Sequence, residues 1–417
     1  MGQYRAARLV DFTPLRRHRD YRLLYTAQFV SLIGSMVTTV ALPYQVFQLT
    51  RSSLAVGLLG LAELLPLLLT AFLGGALADA VDRRRMVLLT EVCLAGSSGL
   101  LALHALQDHP PVWPLYVAAA LTSAFSGLQR PSIEALTPRL VDRDEIPAVA
   151  ALAGVRGSAG MIAGPAIGGA LIATAGLAAT YAFDLATYAV SFLAVRLIRS
   201  VPPAPEAETP SLASVVAGFR YARSRQELIG TYVVDFVAMV FGMPLALFPA
   251  LSQRLGGPRA LGMLYAAPAV GSLLASLTGR WTPRVHRHGL AVMLAATAWG
   301  LAIVAFGFCE TLAPALVFLA LAGGADMVSG IFRMTLWNQT IPDGLRGRLA
   351  AIEMVSYMSG PLLGHFEAGA IAALFGVKAS VISGGALCVV GVLACGLLLP
   401  RFVAYDARRT AGTALPP

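Results

Sequence analysis

The sequence predicts an all-α integral membrane protein: twelve transmembrane helices in two pseudo-symmetric six-helix bundles, with both termini cytoplasmic. Three observations carry this expectation. The chain of 417 residues is 57% hydrophobic and 13% charged, with a mean hydropathy of +0.71, whereas soluble domains carry about a quarter of their residues as charges. Apolar runs of about 20 residues, enough to cross a hydrocarbon core, recur along the chain. The charges collect in short clusters between those runs.

The first 19 residues are polar and Arg-rich without a short apolar core, so no cleavable signal peptide is expected. Spans follow near 21–48, 54–79, 86–107, 112–130, 147–175 and 178–198. Six more lie near 227–250, 260–281, 289–309, 312–334, 348–374 and 377–400. With the N-terminus inside, cytoplasmic segments and the span ends leading into them hold 26 of the 31 basic residues. The outer loops hold Arg51, Arg254, Arg259 and Lys378, and Arg156 falls within a span. That asymmetry is the positive-inside pattern of a cytoplasmic-membrane protein. It also assigns the net charge of +9 to a membrane surface rather than to nucleic acid. Cys93, Cys309, Cys388 and Cys395 lie in apolar stretches without metal-ligand or CxxC spacing, as buried inert thiols do.

The expected organisation is an N-terminal bundle over 1–199, a cytoplasmic linker over 200–226, and a C-terminal bundle with a short tail over 227–417. The linker opens on the proline-rich stretch Val201 to Pro210. Beyond it, Leu212, Val215, Val216 and Phe219 share a helical face beside Arg220, Arg223 and Arg225. Two readings stand: a helix lying on the membrane surface, or a plain extension of the seventh span. The halves echo each other. Arg130 precedes Thr137-Pro138 by seven residues, as Arg333 precedes Thr340, and Gly164-Pro165-Ala166-Ile167-Gly168 matches Gly360-Pro361-Leu362-Leu363-Gly364. Parallel repeats of this kind build transporters with a site between halves.

The most telling stretch follows the second span: Gly75-Ala-Leu-Ala-Asp79-Ala-Val-Asp82-Arg83-Arg84-Arg85. Together with six plus six spans and a central linker, it resembles the major facilitator superfamily, whose signature there is Gly-x-x-x-Asp-x-x-Gly-Arg-Arg. Gly75, Asp79, Arg83 and Arg84 match. Asp82 replaces the middle glycine and Ala80 the usual basic residue, a variant similar to the drug-efflux branch with macrolide exporters and the enterobactin (siderophore) exporter. Further stretches resemble the enterobactin-exporter group. They are Pro14-Leu15-Arg16 with Tyr21-Arg22, Val56-Gly57-Leu58, Gly164-Pro165 with Gly168-Gly169, and Gly218-Phe219-Arg220. Leu247-Phe248-Pro249-Ala250, Leu264-Tyr265-Ala266-Ala267 and Leu345-Arg346-Gly347-Arg348 complete the set.

The resemblance implies a conformational latch. Asp79 would face the positive N-terminal end of the eleventh span, with Arg346 and Arg348 beside it, Asp82 in the loop, and Arg83 and Arg84 bracing that loop. The alternative is that Arg83, Arg84 and Arg85 serve only to set topology. Gly160, Gly164, Pro165, Gly168 and Gly169 resemble the antiporter motif of the fifth span, with Ala151 where one glycine is missing. Small residues four apart let helices approach closely, and such packing also occurs in any membrane bundle.

Ionisable residues inside a bilayer are functional candidates by default. Here they are Glu63, Arg156, Asp184, Asp235, Asp326, Glu353 and Glu367. The resemblance lines the cavity with the first, fourth, seventh and tenth spans, favouring Asp235 and Asp326, then Glu63, as proton-coupling residues. Structural readings stand beside these. Glu353 pairs with Arg346 or Arg348, Asp326 and Arg333 meet through a neighbour, and Asp184 hydrogen-bonds between helices. Glu63 and Arg156 either close a network within one half or touch substrate. Gln28, Thr38, Thr39, Tyr44 and Gln45, then Tyr232, Phe236, Phe241, Met327 and Ser329, are candidates for the substrate-cavity lining or for helix packing. His365 and Glu367 point to different helix faces, against a shared metal.

These features predict a secondary exporter of a small organic molecule by alternating access. It is not an enzyme and has no cofactor; it acts as a monomer, with protons as coupling ion and lipid as surroundings. The cargo is a siderophore or, on the same fold, a macrolide or other drug. A non-transporting assembly factor or receptor is the reading of another class.

Overall fold

The computed structural model describes residues 11–80, 82–199, 220, 225–341 and 346–410, without the side chains of 71–80, 346–356 and 409–410. The described residues are helical with short turns and hold no strand. In chain order the helices are α1 (Thr13–Arg17), α2 (Arg19–Thr50), α3 (Ser53–Ala80), α4 (Arg83–His104), α5 (Trp113–Leu136) and α6 (Ile146–Arg196). There follow α7 (Gln226–Phe241), α8 (Phe248–Leu255), α9 (Pro258–Leu277), α10 (His288–Gly307) and α11 (Leu312–Thr340). The last are α12 (Arg346–Phe375), α13 (Val377–Leu398), α14 (Pro400–Val403) and α15 (Ala407–Thr410).

Among the described residues, nine helices are long and apolar enough to cross a membrane. One of them holds both the fifth and sixth expected spans, because α6 turns at Gly176 (φ 81°), a backbone angle glycine adopts without a Cβ clash. The fourth and eleventh expected spans are helical as α5 and α12. They fall outside the nine; α5 carries Arg130 and Glu134, and α12 carries Arg346, Arg348, Glu353 and Glu367. The expected interfacial helix of 212–225 lies almost wholly outside the described residues, as does the linker.

The chain forms two compact units: Met1–Ala41 with Leu65–Thr209, and Leu42–Leu64 with Pro210–Pro417. In the first, α4 packs on α5 and α6. Leu24, Ala27, Val87, Leu136, Val195 and Ile198 form a buried core joining α2, α4 and the ends of α5 and α6. In the second, α11 packs on α9 and α10, and α7 on α12 and α13. The turn of chain 42–64 belongs to this unit because α3 lies backbone-close to α12. A methyl group on Gly57 would stand 2.5 Å from the His365 carbonyl oxygen, and one on Gly60 would strike the Leu362 carbonyl. Gly369 returns the contact, since a methyl there would stand 2.6 Å from the Ser53 carbonyl oxygen.

The internal echo has a packing counterpart within each unit. Gly164 and Gly168 of α6 lie on α2 at Met36, Val37 and Val40, while Gly360 and Gly364 of α12 lie on α7 at Met239 and Val240. A methyl on Gly364 would stand 2.6 Å from the Met239 carbonyl oxygen. One on Gly164 would collide with the Met36 side chain, and one on Gly168 would come 3.2 Å from Val37 Cα. Close backbone approach of this kind supplies van der Waals contact where water-driven burial is absent.

Gly164→Ala is therefore expected to lower the melting temperature of the solubilised protein more than Gly168→Ala, since overpacking costs about 1–3 kcal/mol. Wild-type melting for Gly164→Ala would refute this packing account.

Candidate functional site

The second unit places a charged cluster between α7 and α11. Asp326 and Arg333 are seven residues apart on α11, two helical turns, and so face the same way. Arg333 forms an ion pair with Asp235 of α7 and reaches Asp326 Oδ1 at 3.7 Å. The Asp235 side chain is 9% exposed, and that of Asp326 is 39% exposed. One guanidinium thus sits between two carboxylates, one enclosed and one open. One turn beyond Arg333, Trp337 donates its indole N–H to Thr231 Oγ1 at 3.2 Å and meets Tyr232 edge-on at 5.2 Å. The structure brings Asp235 and Asp326 together through Arg333, with Tyr232 packed on Trp337 between the same two helices. Sequence reasoning treated that residue only as a structural partner, although an Arg two turns from an Asp on a membrane helix was the available signal.

Glu63 of α3 lies in the same unit as Tyr265 of α9. Tyr265 in turn donates to the Leu245 carbonyl at 3.2 Å and packs edge-on against Phe248 at 5.1 Å. Two stretches quoted for the family resemblance, around Phe248 and Tyr265, therefore meet side by side. Phe236 is partly exposed on α7, Tyr44 is half-buried on α2, and Gln45 and Ser329 are buried.

The first unit holds an enclosed polar core. Asp184 is 1% exposed. Its Oδ2 accepts from Thr38 Oγ1 at 2.6 Å and Ser98 Oγ at 2.7 Å, so α2, α4 and α6 share one carboxylate. Gly34 permits this, because a methyl there would strike Asp184 and Thr187. Glu91 of α4, also buried, accepts from Gln129 Nε2 of α5 at 3.0 Å. The sequence reading missed Glu91, which lies inside an apolar run and carried the same signal as Asp184. Arg156 of α6 stands with its Cζ 5.7 Å from the ring centroid of Tyr25 of α2.

At the loop end of α3, Asp82 caps α4. Its Oδ1 accepts from the backbone N–H of Arg84 at 2.9 Å and of Arg85 at 3.2 Å. An Asp before a helix is a favoured N-cap, which gives the Gly-to-Asp change in the signature a local reason. Arg83 is buried and donates to the Ala135 carbonyl at 3.2 Å, tying α4 to the end of α5. Arg84 Nε donates to the Val195 carbonyl at 3.2 Å, and its Nη2 to that of Arg196, tying α4 to the end of α6. Asp79, Arg346, Arg348 and Glu353 lie outside the described side chains, as does Gly75, so their part in a latch stays an expectation.

One cluster among the described residues has metal-ligand geometry: His18, Asp142 and Glu145. His18 Nε2 lies 2.6 Å from Glu145 Oε2, and Arg17 Nη1 lies 3.4 Å from Asp142 and 3.6 Å from Glu145. Arg17 and His18 both reach the two carboxylates, so the group reads as a clamp between the end of α1 and the turn before α6. Gly160, Gly164, Pro165, Gly168 and Gly169 are all buried along α6.

Arg333→Ala removes the guanidinium that Asp235 and Asp326 share. Removing one partner of a buried pair costs about 3–5 kcal/mol, less here for the open Asp326. The variant is expected to melt well below wild type, and Arg333→Ala with Asp235→Asn is expected to recover most of the loss. A double variant no more stable than the single one would show that the cluster does not hold α7 to α11.

Comparison with known proteins follows this geometry. The profile of the transmembrane secretion effector family, within the major facilitator superfamily, matches residues 10–413. The chain is 29% identical over 388 residues to the enterobactin exporter EntS of Shigella boydii, covering 92% of this chain and 93% of that protein. It is 28% identical over 408 residues to EntS of Escherichia coli strain SMS-3-5, covering 97% and 98%. Among solved structures, the nucleoside transporter NupG superposes with a TM-score of 0.73 at 13% identity, over 91% of this chain and 98% of that one. A bacterial homologue of the human lysosomal transporter Spinster, inward-facing and unoccupied, superposes with a TM-score of 0.70 at 16% identity, over 95% and 98%. These two share the fold. The chain is a multi-pass membrane transporter, not an enzyme, and belongs to the transmembrane secretion effector family of the major facilitator superfamily.

Proposed function

We propose that the protein is a proton-coupled antiporter that exports a small organic molecule, of siderophore type, across the cytoplasmic membrane. In this reading it has twelve spans in two bundles, over 1–199 and 227–417, acts as a monomer, and keeps both termini inside. The Asp235–Arg333–Asp326 cluster carries the proposal. With both acids ionised it holds two negative charges and one positive. Taking up a proton at the open Asp326 leaves, among the described residues, the Arg333 pair with Asp235. A second proton releases Arg333 from α7. The number of bound protons thus sets how tightly α11 is tied to α7, which is what coupling a proton to a change of access requires. The EntS relatives, matched across nearly the whole chain, support a siderophore as cargo.

The test is transport into inverted vesicles under an imposed pH gradient, with enterobactin and a macrolide as cargoes. Wild type is expected to accumulate enterobactin until an uncoupler is added. Asp235→Asn and Asp326→Asn are each expected to lose gradient-driven uptake at least tenfold while keeping cargo-for-cargo exchange, which moves no net proton. Full uphill transport by either variant would refute the coupling assignment. Macrolide uptake without enterobactin uptake would move the cargo to the drug class.

A further inference from the structure

The proton cluster leaves one charge in the other unit's interior unused. Arg156 stands on α6 one turn before Gly160, within an expected span. Among the described residues, no carboxylate lies within ion-pair distance of it; its neighbour is the Tyr25 ring. The acids of its unit are engaged elsewhere: Asp184 by Thr38 and Ser98, Glu91 by Gln129, Asp142 and Glu145 by Arg17. A cation inside a bilayer is costly, and such residues face a partner or a substrate path.

The surroundings of Arg156 are rich in donors. Tyr21, Tyr25, Gln28 and Leu32 recur along one face of α2, and Leu152, Arg156 and Gly160 along one face of α6. Those faces meet at both ends. Tyr25 donates its hydroxyl to the Leu152 carbonyl at 3.2 Å, and Leu32 fills the space above Gly160. Arg156 and Gln28 therefore belong to the stretch between. The Gln28 Nε2 is buried and has no hydrogen-bond partner among the described residues. Leaving an amide donor unpaired in a dry site costs about 1–3 kcal/mol. A planar guanidinium fork and an orphan amide, both donors, lack the same thing: an acceptor carrying negative charge. Beside them the half-buried Tyr25 ring faces Arg156, while Tyr21 is buried against Val149 and Leu152.

We propose that Arg156, Gln28 and Tyr25 form a recognition subsite for an anionic aromatic cargo, its carboxylate or phenolate held by Arg156 and Gln28 and its ring set against Tyr25. The inference deepens the exporter reading and rests on it. The two units then differ in sign: the α7–α11 cluster carries an excess acid for a proton, and the α2–α6 site an excess base for an anion. A phospholipid phosphate shares this chemistry, and the test separates the two sources.

The full-length protein in phosphatidylcholine nanodiscs, with and without phosphatidylglycerol, is titrated calorimetrically with two acid–ester pairs. One pair is ring-opened enterobactin (the linear trimer acid) and its methyl ester; the other is 1-naphthoate and its methyl ester. Wild type is expected to prefer acid over ester at least tenfold. Arg156→Gln abolishes that preference, Arg156→Lys keeps part of it, and Gln28→Leu weakens acid binding several-fold with ester binding unchanged. Equal affinity of wild type for acid and ester, binding of neither pair, or an undiminished preference in Arg156→Gln would overturn the proposal. So would an Arg156→Gln effect confined to phosphatidylglycerol, which would assign a headgroup site. An Arg156-dependent preference for naphthoate without trimer binding would uphold this subsite and refute the siderophore reading.

Discussion

The structure is organised by the cost of placing charge in hydrocarbon. An ionised group at bilayer depth must find a counter-charge, a set of hydrogen bonds, or a solvated path. Each solution appears in a different place. Asp184 is met by hydroxyls from two other helices, so it behaves as a structural knot. Among the described residues, Asp235 and Asp326 share the Arg333 guanidinium, so one positive charge serves two acids. Arg156 is met by an aromatic face. The gradation from fully matched to unmatched separates groups that hold helices together from groups with chemistry left to do.

Packing around these charges follows a second rule, repeated in both units. Gly164 and Gly168 bring α6 against α2, and Gly360 and Gly364 bring α12 against α7, with a Met-Val pair receiving the glycines each time. The glycines leave no side chain between the backbones, so contact area is gained where hydrophobic burial offers little. The equivalent arginines diverge instead. Arg130 pairs with Glu134 on an exposed helix face, whereas Arg333 turns inward to the acids of α7 and α11. Among the described residues, the repeated scaffold thus carries an exposed arginine in the first unit and an inward-turned one in the second.

The loop after α3 shows how a departure from a family pattern acquires meaning. Asp82 replaces a glycine, and its carboxylate caps α4. Among the described residues, Arg83 and Arg84 reach backbone carbonyls at the ends of α5 and α6, which ties three helix ends together.

What the sequence by itself determined was the class of molecule. Apolar run length, charge asymmetry and the glycine–proline repeat suffice for a helical membrane transporter, because hydrocarbon thickness and backbone hydrogen bonding leave few alternatives. Asp235 and Asp326 were legible for the same reason: a carboxyl in an apolar run stands out. Tertiary structure alone decided which charges meet. Arg333 stands 98 positions from Asp235 in the chain, and nothing in either run's periodicity specifies that α7 and α11 face each other there. Whether Arg156 has a partner, whether Glu91 engages Gln129, and that residues 42–64 group with the second unit are likewise properties of helix packing. One-dimensional patterns specify which face of a helix is polar, but the face's partner is set by close contact between backbones far apart in sequence.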